Sequence, residues 1–243
     1  MDRLKDKVAL VIGAGQSPGE SIGNGRATAI RFAQEGARVM AADRDEDSAR
    51  QTVAMMEPHG ADHATTSCDV TLTTDIESAE AATLQRWGRL DILVLNAGQL
   101  GTLSPLSHTS LKDWERVVGV NLTAPFRFLR AFDGLLRQSD KGRVIGLTTT
   151  PATRPRAYWG PYAATKAAME NLLDCYADEV ASITPIRVAV VNPGATRTNM
   201  RKSAFPGENP ETLKTPDVVA NALLDLLVQD FETGHRLTVT QKA

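Results

Sequence analysis

The chain carries only two cysteines and four histidines in 243 residues, and neither cysteine lies in a CxxC or beside a clustered histidine. That scarcity excludes a disulfide scaffold and leaves no spacing that suggests a metal site. Cys68 and Cys175 fall inside predicted secondary structure and read as buried thiols of a reducing compartment. No apolar run approaches the ~20 residues that cross a bilayer. The charged start Met1-Asp2-Arg3-Leu4-Lys5-Asp6-Lys7 does not read as a signal peptide, so a cytoplasmic location is expected. Net charge is only -2, with acids and bases interspersed, which argues against electrostatic binding of nucleic acid. Linkers, low-complexity segments and internal repeats are missing too. One domain spanning residues 1–243 is the expectation.

Short apolar runs alternate with longer helical patterns. Strands are predicted at 8–12, 37–43, 63–68, 90–95, 143–148, 186–191 and 236–240. Helices are predicted at 25–35, 45–57, 73–87, 110–137 with a kink at Pro125, 158–181 and 216–227. This β-then-α succession specifies an α/β fold: a doubly wound parallel sheet of about seven strands with helices on both faces. The continuous apolar run Val8–Ile12 suits a strand buried on both sides.

The segment Tyr162-Ala163-Ala164-Thr165-Lys166 places a phenol and an amine one helical turn apart. A phenol has a pKa of ~10, and a neighbouring ammonium lowers it. Thirteen residues upstream stands the hydroxyl of Thr149, able to hold a substrate oxygen while Tyr162 gives or takes a proton. Thr148 and Thr150 offer rival hydroxyls; the spacing selects Thr149. Such a set suits interconversion of alcohol and carbonyl and calls for a hydride carrier.

The turn after the first strand, from Gly13 to Gly25, contains Gly13, Gly15, Gly19, Gly23 and Gly25. It joins a buried strand to a helix N-terminus, where free N–H groups accept a pyrophosphate and glycines let the backbone approach it. Asp43, ending the second strand, suits the ribose hydroxyls of NAD and repels a 2′-phosphate. NAD(H) is therefore the expected cofactor. Arg44 beside it keeps NADP(H) open.

Together these residues resemble the short-chain dehydrogenase/reductase family over nearly the whole chain. The resemblance rests on Tyr162-x-x-x-Lys166, the turn from Gly13, Cys68-Asp69-Val70, Asn96-Ala97-Gly98, Asn121 in Gly119-Val120-Asn121-Leu122, and Asn192-Pro193-Gly194. It implies a single-domain Rossmann fold and an oxidoreductase acting on a small-molecule alcohol or carbonyl. It implies Tyr162 as general acid/base, Lys166 holding the nicotinamide ribose, Thr149 orienting the substrate oxygen, and Asn121 holding a water in a relay to Lys166. By the same resemblance Asp69 and Val70 contact adenine and Asn96, Ala97 and Gly98 line the adenosine path. Pro193, Gly194, Thr196 and Thr198 surround the nicotinamide. No metal is needed, and a homodimer or homotetramer through the helices at 110–137 and 158–181 is expected.

The chain departs from the family pattern in four places. Thr149 replaces the usual Ser, and Ile12 replaces the Thr that commonly precedes the first glycine. The glycine turn is lengthened, and its ending Ser21-Ile22-x-x-Gly25 is similar to that of NADH-dependent enoyl-thioester reductases of the same superfamily. Those carry a wider Tyr-to-Lys spacing than Tyr162–Lys166, and Tyr158 lies eight before Lys166. Enoyl reduction stays open as an alternative, as does a dinucleotide-binding regulator without catalysis. The terminal Leu237-Thr238-Val239-Thr240-Gln241-Lys242-Ala243 lacks the family's Asp-Gly-Gly segment. Finally, the lid expected over 199–215 is short. Arg154, Arg156, Arg197, Arg201 and Lys202 are expected near the pocket mouth, and Tyr158, Trp159 and Phe205 as a candidate apolar wall.

Overall fold

The computed structural model describes residues 2–240. Met1, and Gln241, Lys242 and Ala243 of the terminal segment read above, lie outside the described residues. Among the described residues, seven strands form one parallel sheet: β1 (Val8–Ile12), β2 (Arg38–Asp43), β3 (Ala64–Ser67), β4 (Ile92–Leu95), β5 (Arg143–Leu147), β6 (Arg187–Asn192) and β7 (His235–Thr238). Their spatial order is β3-β2-β1-β4-β5-β6-β7. This is the expected doubly wound sheet in a single domain.

Side chains of β1 alternate between two cores, as the strand period requires. Val8, Leu10 and Ile12 enter one, with Phe128, Phe132, Met169 and Leu173. Ala9 and Val11 enter the other, with Phe32, Ala33, Val219 and Leu223. The first core is covered by α3 (Thr73–Trp87), α5 (Ala124–Arg137) and α7 (Gly160–Ala181). The second is covered by α1 (Asn24–Gln34), α2 (Glu46–Met56) and α9 (Pro216–Val228). Strand order reverses between β1 and β4. In open α/β sheets, ligands bind in the crevice at the carboxyl ends of the strands flanking such a reversal. Residues 13–25 and 96–98 leave the sheet there.

Two predicted helices need correction. The helix expected at 110–137 is α4 (Leu111–Val118), a π-helical segment Gly119–Thr123, then α5. Pro125 does not kink a continuous helix; it follows the π segment, at the first turn of α5. Having no N–H, it cannot bond to the carbonyl of Asn121, so the ladder shifts to the longer register there. The helix expected from Tyr158 starts at Gly160. Tyr158 has a left-handed φ of 73° and is 59% exposed, so it cannot belong to the helix. Two short helices went unpredicted: α6 (Thr150–Thr153) and, inside the expected lid, α8 (Asn199–Ala204).

The cysteine expectation is half corrected. Cys68 is buried and its thiol is pushed up to about 12 by desolvation. Cys175 is exposed, because it lies on the outer side of α7. No helix of the described residues is long and apolar enough to cross a membrane.

The C-terminus of α1 is pinned by a buried carboxylate. Glu35, 1% exposed, accepts from Arg3 at 2.9 Å and from Arg31 at 2.7 Å. The Arg3 hydrogen bond outweighs burial and brings the carboxyl down to about 2. A depressed folded pKa stabilises the fold above the unfolded value, and that stability is lost as pH falls through the folded one. Glu35→Gln should therefore cost on the order of 1 kcal/mol at neutral pH, after allowing for solvent around the arginines. The gap in Tm from wild type, followed by circular dichroism, should narrow as pH falls from about 5 towards 3. A gap that stays constant with pH would assign Glu35 to packing instead.

Candidate active site

Close packing of glycines forms the cofactor side of the crevice. Gly13 has φ +75° and donates its N–H to the Ala42 carbonyl at 2.8 Å. Gly15 donates its N–H to Asp43 Oδ2 at 2.9 Å, and Asp45 donates to Asp43 Oδ1 at 3.1 Å. Two backbone donors thus fix the carboxylate against the turn. A Cβ on Gly15 would come within 2.7 Å of Asp43 Cγ. At Gly25, a Cβ would come within 2.9 Å of the Gly13 carbonyl carbon and closer still to its oxygen. Asn96 binds the same place, donating to the carbonyls of Ile12 at 3.1 Å and Gly13 at 3.0 Å. The first turn of α1 has no side-chain cap and no acidic residue. Its free N–H groups face the glycine turn, and the buried Asn24 Oδ1 has no partner among the described residues. An uncapped helix start behind a turn that excludes Cβ atoms fits a dinucleotide pyrophosphate.

Residues 16–23 of the turn are held by partners that sequence reasoning missed. Gln16 bonds to the Ser21 carbonyl and accepts from the Gly23 N–H at 3.1 Å. Asn199, the first residue of α8, accepts from the Ser21 N–H at 3.2 Å and donates to the carbonyls of Ser17 at 2.9 Å and Ser21 at 3.1 Å. The start of the expected lid and the glycine turn are therefore joined. Ile22 is 44% exposed. Beneath the turn, buried Arg26 donates to Thr52 Oγ1 at 2.9 Å and to the Ser48 carbonyl at 2.8 Å. Burial lowers its pKa, and the nearby Asp43 and Asp45 oppose that shift. Arg26 carried no sequence signal, because its partners lie on α2.

The remaining expected cofactor residues end the strands around the crevice. Asp69 Oδ1 accepts from Thr71 N at 2.9 Å and Thr71 Oγ1 at 2.7 Å, an Asx turn leading into α3. Oδ2 is left free of partners among the described residues. Val70 and Ala97 pack against the first core. Gly194 takes φ +63° and donates to Asn192 Oδ1 at 2.9 Å. Thr196 donates to the Pro193 carbonyl at 3.1 Å, and Thr198 caps α8 by accepting from the Arg201 N–H at 3.2 Å. Lys214, another missed residue, donates to the Ala195 carbonyl at 3.0 Å.

Opposite the glycine turn, the end of β5 meets α7. Three adjacent threonines take three different partners. Thr148 donates to Glu170, Thr150 accepts from Asn192 at 3.0 Å, and Thr149 lies close enough to the Tyr162 phenol to act on its pKa. The hydroxyl selected by spacing is the one beside the phenol. Tyr162 is 8% exposed, and burial raises its pKa, with Thr149 opposing. Burial is the larger of the two effects on the phenol. The Lys166 ammonium donates to the Leu147 carbonyl at 2.7 Å, and desolvation brings it down to about 8. Asn121 is fully buried; its amide accepts from Gln99 N at 2.8 Å and donates to Gln99 O at 2.9 Å and Thr165 Oγ1 at 3.2 Å. The side chain is thus committed to clipping the loop after β4 onto α7 and has no bond to Lys166. Its main-chain carbonyl is one that Pro125, having no N–H, cannot cap. Gly98 separates the two: a Cβ there would lie 3.7 Å from Asn121 Oδ1 and 3.8 Å from Lys166 Nζ.

The expected apolar wall forms from two of its three residues. Trp159 stands edge-on to Tyr162 at 5.9 Å between centroids and tilts against Phe205 at 5.5 Å. Tyr158 points to solvent. Of the expected basic residues, Arg201 pairs with Glu208 at 2.6 Å and Arg197 with Glu211 at 2.5 Å. Arg156 stacks over Phe205 at 4.7 Å. Among the described residues, no three His, Cys, Asp or Glu side chains are grouped to hold a metal.

A parallel sheet reversing at β1/β4, a glycine turn at that reversal, and a Tyr–Lys helix facing it recur in one family. The short chain dehydrogenase family model matches residues 7–209. The chain is 36% identical to an uncharacterized oxidoreductase, YciK, of Escherichia coli, over 98% of this chain and 92% of that one. It is 35% identical to 3beta-hydroxysteroid dehydrogenase 1 of Eggerthella lenta, over 84% and 76% of the two chains. A short chain dehydrogenase of E. coli complexed with NADPH superposes with a TM-score of 0.91 at 34% identity, covering 99% of both chains. The chain belongs to the short chain dehydrogenase family and is an oxidoreductase, and membership supports a dinucleotide cofactor.

Proposed function

We propose that the protein interconverts a secondary alcohol and a ketone, with Tyr162 as general acid/base and NAD(H) as preferred cofactor. The observation that carries this reading is the placement of the buried Tyr162 phenol beside Thr149, with Lys166 one turn behind, across the crevice from the glycine turn. Gly13, Gly15, Ser21, Ile22, Gly25, Asp43, Asp69, Val70, Asn96, Ala97 and Gly98 would hold the adenosine and pyrophosphate part. Tyr162, Lys166, Pro193, Gly194, Thr196 and Thr198 would hold the nicotinamide end. A nicotinamide dinucleotide bound there supplies the hydride, or accepts it in the reverse direction.

In ketone reduction the substrate oxygen accepts hydrogen bonds from Thr149 and Tyr162. As that oxygen gains negative charge, the Tyr162 proton moves to it and leaves a phenolate. Burial that raises the Tyr162 pKa keeps the phenol protonated at neutral pH, which suits this direction. Protonated Lys166 stabilises the phenolate, and the Asn121 carbonyl seats a water that returns the proton. Alcohol oxidation needs the phenolate first, so its rate rises with pH. Trp159 and Phe205 shield the site from bulk water.

Asp43 supports NAD over NADP. Its carboxylate is already oriented by the Gly15 and Asp45 N–H groups, and a 2′-phosphate would face it as a like charge. NADPH in the E. coli structure is the contrary indication. Parallel assays of ketones and secondary alcohols with NADH/NAD and NADPH/NADP test both parts. Turnover is expected, with kcat/KM at least ~10-fold higher for NADH, since one like-charge contact corresponds to about 1.4 kcal/mol or more. Higher kcat/KM with NADPH would sink the reading of Asp43, and activity confined to enoyl thioesters would sink the alcohol–ketone reading.

A further inference from the structure

Glu170 lies one turn beyond Lys166 on α7 and is 6% exposed. The acid/base scheme makes no use of this buried carboxylate, yet both its oxygens are engaged. Oε1 accepts from the hydroxyl of Thr148, and Oε2 accepts from Arg236 of β7 at 2.6 Å. The second guanidinium nitrogen of Arg236 meets Asp174, on the next turn of α7, at 2.5 Å. Thr148 stands between two residues that also reach α7. The Leu147 carbonyl accepts from Lys166 at 2.7 Å, and Thr149 lies beside the Tyr162 phenol. Two consecutive residues at the end of β5 are therefore hydrogen-bonded to successive turns of one helix, and the Glu170 bond is the one made next to Thr149.

We propose that Glu170 is a positioning residue for this site: it ties the end of β5 to α7, and so fixes the direction of the Thr149 hydroxyl and keeps the Lys166 ammonium charged in its seat. This rests on the roles given above to Tyr162, Thr149 and Lys166. A hydroxyl aimed at a reacting oxygen tolerates little rotation of its backbone, and the neighbouring Thr148 is held only if its own partner is in place. Lys166 is 3% exposed, so desolvation drives it to shed its proton, and the Glu170 charge opposes this. The titratable neighbours facing Lys166 are Glu170 and Tyr162 of α7. β5 contributes the Leu147 carbonyl, and the loop of Asn96, Ala97 and Gly98 has no charged side chain. Arg236 of β7 faces Glu170 from the other side, with Asp174 behind it.

Glu170→Gln keeps the size and an acceptor for Thr148 but removes the charge. In this variant kcat should fall roughly tenfold, with NADH affinity by fluorescence titration within about twofold of wild type. The alkaline limb of the kcat profile should move to lower pH by roughly one unit, because Lys166 loses its counter-charge. Thr148→Val should lower kcat by a similar factor and Thr148→Ser should restore it, since only the hydroxyl carries the tie. Wild-type kcat and pH profile in Glu170→Gln would overturn the proposal, as would equal activity in Thr148→Val and Thr148→Ser. An NMR pH titration of lysine-labelled protein needs no substrate; the Lys166 signal is the one lost in Lys166→Met. Lys166 should titrate lower in Glu170→Gln than in wild type, and superimposed curves would overturn the proposal. A shifted curve in a protein that turns over no alcohol or ketone would keep Lys166 dependent on Glu170 and sink the redox reading alone.

Discussion

Tyr162→Phe lowers kcat for ketone reduction roughly a thousandfold, within the range that a positioned acid/base supplies. The change removes one oxygen and leaves the ring, so the edge-on contact with Trp159 survives and the fold with it. No neighbour can substitute. Thr149 offers a hydroxyl beside Tyr162, but an alcohol is a far weaker acid than a phenol. Lys166 is turned towards the Leu147 carbonyl. NADH affinity by fluorescence titration should stay within about threefold of wild type, because the loss lies in the transition state and not in binding. Thr149→Ser, by contrast, keeps the hydroxyl and sheds one methyl, and should retain most of the activity. A Tyr162→Phe enzyme with full turnover would remove Tyr162 from the chemistry altogether.

Gly25→Ala gives the second large effect, on cofactor binding and stability together. The added methyl meets main-chain atoms of Gly13 and the side chain of Asn96, which itself holds the carbonyls of Ile12 and Gly13. No rotamer relieves a collision with backbone, so either α1 lifts from the turn or the turn shifts off β1. The expected cost is about 2–4 kcal/mol, a fall in Tm of roughly 5–15 °C for a chain of this length. NADH affinity should drop at least tenfold, since the same displacement takes the α1 N–H groups out of aim. Gly134→Ala is the matched control: a Cβ there, in the last turn of α5, meets nothing within 4 Å. Replacing a helical glycine by alanine stabilises by about 0.5–1 kcal/mol. Calorimetry should therefore move the two variants in opposite directions. A Gly25→Ala protein as stable as wild type, with unchanged NADH affinity, would contradict the packing of α1 on the glycine turn.

Much of this architecture is legible in local pattern, and what is not has physical causes. The strand Val8–Ile12 and the helix Thr73–Trp87 occupy the residues their patterns indicate, because burial on both faces and capping glycines are local signals. The Tyr162–Lys166 spacing is local too, and of the three threonines it points to the one that lies beside the phenol. Thr148 and Thr150 are told apart only by partners on α7 and β6, which no nearby residue reports. The π segment at Asn121 follows from a carbonyl that Pro125 cannot serve, yet a proline inside a helical pattern reads equally as a simple kink. Asn199 lies far along the chain from Ser17 and Ser21, so the joining of lid and turn has no sequence signature. The rise in the Tyr162 pKa comes from burial, which spacing cannot disclose. Cys175 is exposed because the outer side of α7 finds no neighbour there. The orientation of a helix face is decided by what packs on it.

Hydride transfer to a carbonyl carbon is the central claim, and isotope transfer tests it most directly. The protein is incubated with NADH deuterated at the transferring position and a ketone that it turns over, and the product is analysed by mass spectrometry and NMR. The account predicts one deuterium, bonded to the carbinol carbon, with the rate of its appearance cut roughly a thousandfold in Tyr162→Phe. Deuterium found instead on a carbon beside a reduced C=C bond, or none transferred from the cofactor at all, would contradict it.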